Sequence, residues 1–295
     1  MLELFAPTLI SGFILGAVYG LATMGLNLIF GVMNLTNFAN GDFLALGAYS
    51  AFWLWTLLGL NPIASIPVSA FIGLVVGLLI FYVLINRLVF SPDAALVTTY
   101  ALGIFLEEVM RILWTPLNRG IPWSLGSIQY TFITLPITYI VTFIAGVIAI
   151  LAIYFIMYKT YFGKSLRAVI SDSKAAASCG VNVKTTLAYG FALGVALAFI
   201  GGTLLIVYNP SGITPYFGQT YMLNCFVIAI LGGLGNPWGA LLGGLIFGEL
   251  EQFLPLILNY FPQIEQPYSF TPFICFTIFI IVLLIRPQGI LGGRK

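Results

Sequence analysis

Three asparagines and an aspartate fall within nine residues, in Asn34-Leu-Thr-Asn37-Phe-Ala-Asn40-Gly-Asp42. Each asparagine carries a carbonyl acceptor and an amide with two donors, whereas an ionised aspartate only accepts. That set suits hydrogen bonding to a small polar solute. A second stretch, Gly232-Gly233-Leu-Gly235-Asn236, offers bare backbone amides and carbonyls beside one more asparagine. Further candidates are acidic: Glu107 and Glu108 with Arg111 one turn on, and Glu249 with Glu251. The i,i+3 and i,i+4 spacing of the first group fits a structural ion pair on a helix. Glu249 and Glu251 point to different faces of one helix, so one of them is expected deep in the fold. Histidine is absent, and Cys179, Cys225 and Cys275 are scattered. An imidazole relay, a disulfide framework and a metal site therefore have no basis in this chain. With no Ser/Lys or paired-Asp signature either, the chain is not expected to be an enzyme or to hold a cofactor.

The elements that carry these residues follow from composition. Of 295 residues, 60% are hydrophobic and 7% charged, against roughly 25% charged in a soluble domain. So few charges cannot cover a soluble surface, so lipid must. The apolar runs are continuous rather than alternating, which selects helices over a barrel. The expected fold is an all-α polytopic membrane protein, one domain over 1–295, with about eight to ten transmembrane helices. Nine apolar segments are readable, at 8–30, 43–59, 62–86, 94–115, 135–158, 185–207, 221–235, 238–258 and 270–285. The seventh is short and interrupted by glycine, so broken or re-entrant elements are expected there and at 31–42. Two readings of 34–42 stand side by side. One is a polar turn between helices, rich in turn residues. The other is unwound backbone lining a cavity. Small residues recur at helix-packing spacing in Gly12-xxx-Gly16-xxx-Gly20, Gly73-xxx-Gly77, Gly190-xxx-Gly194 and Gly244-xxx-Gly248. A weak echo links 31–49 with 232–248. Each runs glycine, asparagine, glycine, then a small-residue helix, the pattern of a possible internal repeat with a midplane site.

Net charge is +2, but position matters more. The segment 159–184 carries Lys159, Lys164, Arg167, Lys174 and Lys184, five of the eleven basic residues, and the C-terminal RPQGILGGRK carries three more. Both are expected on the cytoplasmic side of the cell membrane. Four apolar segments lie between them, as that placement requires, and nine crossings would put the N-terminus outside. The N-terminus has no basic n-region, so no cleaved signal peptide is expected. Phe162-Gly163-Lys164-Ser165 is like the tail of a phosphate-binding loop. The full pattern, however, needs glycine where Tyr158 stands, so no nucleotide hydrolysis is expected here. The middle of 159–184 is helix-forming. It reads either as a loop held inside by charge or as a helix that docks on a partner through Ala175, Ala176 and Ala177.

The stretch GLNLIFGVMNLTNFANGDFLALGAY resembles a signature of the permease subunits of branched-chain amino acid ABC importers, the LivH/LivM type. Asn40 replaces the histidine usual in that signature. GKSLRAVISDSKAAASCGVNV, FALGVALAFIGGTLL, FVIAILGGLGNPWGALLGGLIFG and the ending RPQGILG are similar to later family stretches in the same order, over nearly the whole chain. The resemblance implies a translocation path with Asn34, Asn37, Asn40 and Asp42 on one side and Gly232, Gly233, Gly235 and Asn236 on the other, the two elements packed together. Asp42 is expected to cap the helix that follows it. The resemblance also implies that 159–184 is the ATPase-coupling loop, with Arg167, Asp172, Ala175, Ala176 and Gly180 as coupling residues. There Lys174 replaces the glutamate of the importer coupling motif. The implied partners are a second permease subunit, identical or homologous, cytoplasmic ATP-binding subunits holding ATP and magnesium, an extracytoplasmic solute-binding protein and lipid, with no nucleic acid. The implied cargo is a branched-chain or other neutral amino acid. A urea or short-amide permease is the near alternative, and an ion-coupled secondary transporter a more distant one.

Overall fold

The computed structural model describes residues 2–88, 91–130, 133–209, 212–259, 266–286 and 288–291. Arg294 and Lys295 of the basic C-terminal run lie outside them. Eleven α-helices stand among the described residues: α1 Leu2–Met33, α2 Asn40–Leu58, α3 Ser65–Val83, α4 Pro92–Trp114, α5 Ile137–Lys159, α6 Tyr161–Ser171, α7 Ser173–Ser178, α8 Val183–Tyr208, α9 Phe217–Gly232, α10 Pro237–Leu258 and α11 Pro267–Ile285. The nine apolar segments correspond to α1–α5 and α8–α11, and the protein is an all-α polytopic membrane protein. By length and composition α1, α3, α5, α8 and α10 suffice to cross a membrane. At 16 residues, α9 is about 24 Å long, shorter than the roughly 30 Å hydrocarbon core. One element departs from expectation. Ser127–Tyr130 (β1) and Ile133–Pro136 (β2) form a two-stranded antiparallel hairpin, so the segment expected from 135 starts in a strand and its helix begins after Pro136.

The bundle is built around α1 and α8, which are buried on nearly every side. Both are apolar all round, as a helix without a lipid face must be. The α1 seam with α10 uses the small residues anticipated: a side chain on Gly16 would strike the backbone of Gly244 and Leu245 at 2.7 Å. Such closeness is what lets helices gain dispersion energy in lipid, where no hydrophobic force joins them. On one face of the bundle gather the C-terminal end of α1, the α5–α6 junction, the α9–α10 turn and the C-terminal segment. Asn27 Nδ2 donates to the Gly233 and Asn236 carbonyls at 3.2 and 2.9 Å. Ile290 and Leu291 amides donate to Leu231 and Gly232 carbonyls at 2.8 and 3.1 Å.

Candidate functional site

Helix α1 stops because Asn34 turns into the left-handed region, φ 53°, a conformation that asparagine tolerates better than most residues. The chain then passes through Leu35–Asn37 without regular structure and turns at Phe38 and Ala39 into α2, which begins at Asn40. Asn34 is exposed. Asn37 is fully buried, and its Oδ1 accepts from the Ala39 amide at 3.2 Å, which shapes the turn into α2. Asn40 is also fully buried, and neither of its side-chain atoms has a hydrogen-bond partner among the described residues. Asp42 is 6% exposed, and its Oδ1 is likewise without a partner. The expected capping role does not hold. Ala39 occupies the N-cap with no side-chain hydrogen bond, and Asp42 lies inside the first turn.

Asp42 is held by two glycines from other helices. A β-carbon on Gly103 of α4 would come within 2.6 Å of Oδ2, and one on Gly218 of α9 within 2.5 Å of Oδ1. Gly103 is the midpoint of α4, so the carboxylate sits beside the middle of that helix and at the first turns of α2 and α9. Glu107, one turn further along α4, is 8% exposed and within electrostatic reach of Asp42. Its Oε2 accepts from Gln219 Nε2 at 2.7 Å. Asp42, Glu107 and Gln219 line a cavity of about 290 Å³ with the rings of Phe38, Tyr100 and Phe226. The Phe38 ring stacks on Phe226 at 5.5 Å and meets Tyr100 edge-on at 6.3 Å. The neighbouring Glu108 faces away. Its Oε2 pairs with Arg111 at 2.6 Å on the exposed side of α4. The acidic pair expected to share one structural role is thus divided, and Glu107 is the member that the sequence alone did not single out. Its only sequence signal is a helical spacing that turns Glu107 and Glu108 to different faces.

The second stretch sits elsewhere. Gly233 (φ 108°) and Gly235 (φ 80°) make the tight turn between α9 and α10. Asn236 caps α10, its Oδ1 accepting from the Trp238 and Gly239 amides at 3.0 and 3.3 Å. Gly232 packs against Gly239. This turn meets Asn27 and Gly31 of α1, while Gly41 and Asp42 meet Gly218 at the other end of α9. From Gly218 to Gly232 is roughly 21 Å at 1.5 Å per residue. The two stretches expected to face each other therefore lie toward opposite ends of one helix.

In 159–184, Arg167 donates to the Met157 carbonyl at 3.0 Å and stacks over Tyr158, fastening α6 to the end of α5. Asp172 caps α7 through the Lys174 and Ala175 amides at 2.8 and 3.0 Å. Gly180, at φ 82°, ends α7, with its amide bonded to Ala177 and the Val181 amide to Ala176. That pair of bonds is the Schellman arrangement, which needs a left-handed residue at this point. Ala176 is 5% exposed and packs inward, whereas Ala175, Ala177 and Cys179 are exposed. The surface open to a partner therefore includes Asp172, Lys174, Ala175, Ala177, Cys179 and Gly180.

Comparison with known proteins bears on what this arrangement serves. Residues 8–284 match the family model described as a branched-chain amino acid transport system permease component. The chain is 27% identical to the high-affinity branched-chain amino acid transport system permease protein LivH of Salmonella typhimurium, over 98% of this chain and 96% of that one. It is 27% identical to BraD, the corresponding permease protein of Pseudomonas aeruginosa, with the same coverage. It is 30% identical to a probable LivH permease of Methanocaldococcus jannaschii, over 92% of this chain and 88% of that one.

Proposed function

The chain belongs to the family of branched-chain amino acid transport permease components, and from that premise we propose that it is the membrane subunit of an ATP-driven importer passing branched-chain amino acids into the cell. The observation that carries the reading, beside the family match, is the set of buried polar atoms inside the bundle, beside the middle of α4. Asn40, the Asn37 amide and Asp42 Oδ1 have no partner among the described residues. Groups of that kind at membrane depth are expensive and mark solute pathways. The exposed side of α9 carries Gln219, which lines the Asp42 cavity, and Thr220 next to it in the chain. Lipid is a poor cover for such a face. In this reading a second permease subunit closes it, and the path runs along α9, from Asn37, Asn40 and Asp42 toward the Gly232–Asn236 turn.

The face that holds 159–184, the α9–α10 turn and the C-terminal segment is taken as cytoplasmic, because the basic residues gather there. Partner ATPases, which bind ATP and magnesium, dock on Lys174, Ala175, Ala177 and Gly180. Arg167 and Asp172 act one step back, by fixing α6 and α7. A solute-binding protein delivers cargo to the opposite face and supplies most of the specificity, so the path need only pass a zwitterion without trapping it. Reconstitution in proteoliposomes with the partner ATPases and binding protein tests this. Leucine, isoleucine and valine are expected to stimulate ATP hydrolysis and to accumulate. Stimulation by urea or short amides alone would overturn the substrate, and uptake without ATP would overturn the mechanism.

A further inference from the structure

We infer that Asp42, Glu107 and Gln219 form a binding site for a primary ammonium group, with Phe38, Tyr100 and Phe226 receiving the apolar part of the same molecule. This deepens the transport reading and rests on it for the identity of the ammonium, which is the α-amino group of the cargo.

The first ground is charge. Two carboxylates border one cavity of about 290 Å³, and no cationic side chain among the described residues lines it. The nearest arginine on α4, Arg111, is bonded to Glu108 on the outer side. Gln219 ties one oxygen of Glu107 but is neutral and cancels no charge. Buried charge is tolerated when paired, and no cationic side chain among the described residues pairs these two carboxylates, so an ammonium entering the cavity is the group that would stabilise them in ionised form.

The second ground is geometry. Asp42 is 6% exposed, borders the cavity and keeps Oδ1 without a partner among the described residues. Gly103 and Gly218 close on its two oxygens from opposite helices. The carboxylate is thus held in place before any ligand arrives, and none of its ordering is left to the binding step.

The third ground is the remaining wall. Phe38, Tyr100 and Phe226 supply ring faces, and Ile104, Met222 and Leu223 complete an apolar lining. Ring faces attract cations, and apolar walls suit an aliphatic chain. A bare hard metal cation would instead want six or more oxygens. At about 30 Å³ per water in the liquid, the space admits a solute of up to about nine or ten heavy atoms. With no cationic group lining it, the site grips only the ammonium end. The carboxylate of a zwitterion stays with water or with a neighbouring subunit, which keeps the hold weak enough for onward movement.

The test uses the assembled permease–ATPase complex in lipid nanodiscs without the binding protein, followed by thermal denaturation. 3-Methylbutylamine and leucine are expected to raise the melting temperature, while 4-methylpentanoate, which lacks the ammonium group, does not. Asp42→Asn and Glu107→Gln are each expected to raise the half-saturating amine concentration tenfold or more. Two variants are used so that misfolding of one leaves the other to decide. Absence of amine protection in the wild type, equal protection in both folded variants, or sodium chloride replacing the amine at equal concentration would each overturn the inference. Leucine uptake by the complete wild-type system, measured in parallel, separates the two levels. Uptake without amine protection defeats this site and spares the transport reading, and failure of branched-chain uptake defeats the reading itself.

Discussion

The break between α1 and α2 and the break between α9 and α10 use the same residue types but pair their polar atoms to different extents, although Asn27 Oδ1 at the second is also buried without a partner among the described residues. At the second, the carbonyls of Leu231, Gly232, Gly233 and Asn236 all accept hydrogen bonds, from Ile290, Leu291 and Asn27. Asn236 uses both ends of its amide, capping α10 and donating to the Leu291 carbonyl at 3.2 Å. At the first, the Asn37 amide, both polar atoms of Asn40 and one oxygen of Asp42 are buried without partners among the described residues. Leaving a buried polar group unsatisfied costs about 1–3 kcal/mol. The α9–α10 turn is built for stability, whereas the first break gives up stability that a passing solute could return. The helix packing agrees: α9 and α10 fold back on each other through Gly232 and Gly239, while α1 and α2 barely touch.

The largest effect that separates the two breaks is expected from Asn40→Leu. An apolar group of similar size removes two unsatisfied atoms, so the melting temperature should hold or rise. Uptake by the reconstituted system should fall to background. A large fall in melting temperature with uptake per folded molecule intact would reverse the assignment and make Asn40 a structural residue.

Next in size is Asn27→Leu, which acts on the second break. It removes two hydrogen bonds, from the Gly233 and Asn236 carbonyls, which keep their bonds from the Asn236 and Ala240 amides, and at about 0.5–1.5 kcal/mol net for each bond it should cost roughly 1–3 kcal/mol. Uptake per folded molecule should not change. Asn236→Ala removes the α10 cap and should cost about 1 kcal/mol, read as a smaller drop in the same thermal assay. If either variant abolished uptake at unchanged stability, the turn would be part of the path rather than its support.

Much of this was readable in the sequence because lipid leaves few options. Continuous apolar runs gave the helices to within a few residues, and the glycine pairs of α1 and α10 marked a seam that the fold uses. The family was legible in its ordered stretches. The geometry of the site was not. Asn34-xx-Asn37-xx-Asn40-x-Asp42 and Gly233-x-Gly235-Asn236 look alike as strings, because a turn and a cavity wall draw on the same residues. Only the partners across the fold distinguish them, and Asn27, Gly103, Gly218 and Leu291 are all distant in sequence from the breaks they serve. Asp42 looked like a cap because it precedes an apolar helix. Its true register, within the first turn of α2 rather than before it, depended on where Asn34 let the chain go. Glu107 was hidden by Glu108, since adjacent acids look equivalent until the helix face is known.

The smallest expected effect is at Asn34, where the two breaks are most alike. Asn34 and Gly235 both lie in the left-handed region, at φ 53° and 80°. Asn34 is exposed, and its amide bonds back to the Phe30 carbonyl at 2.7 Å, closing the last turn of α1. Glycine adopts this conformation without the clash that a β-carbon brings. Asn34→Gly should therefore leave stability within a few tenths of a kcal/mol, the range in which glycine replaces asparagine at helix ends, and leave uptake unchanged. Asn34→Val, β-branched and poorly suited to positive φ, should lower the melting temperature and reduce uptake only in proportion to folded protein. A tenfold loss of uptake in Asn34→Gly at unchanged melting temperature would mean that the Asn34 side chain itself meets the solute. The path would then extend from the Asp42 cavity to the end of α1, and the division between a supporting turn and a working one would have to be drawn between Gly31 and Asn34 instead of at Asn37.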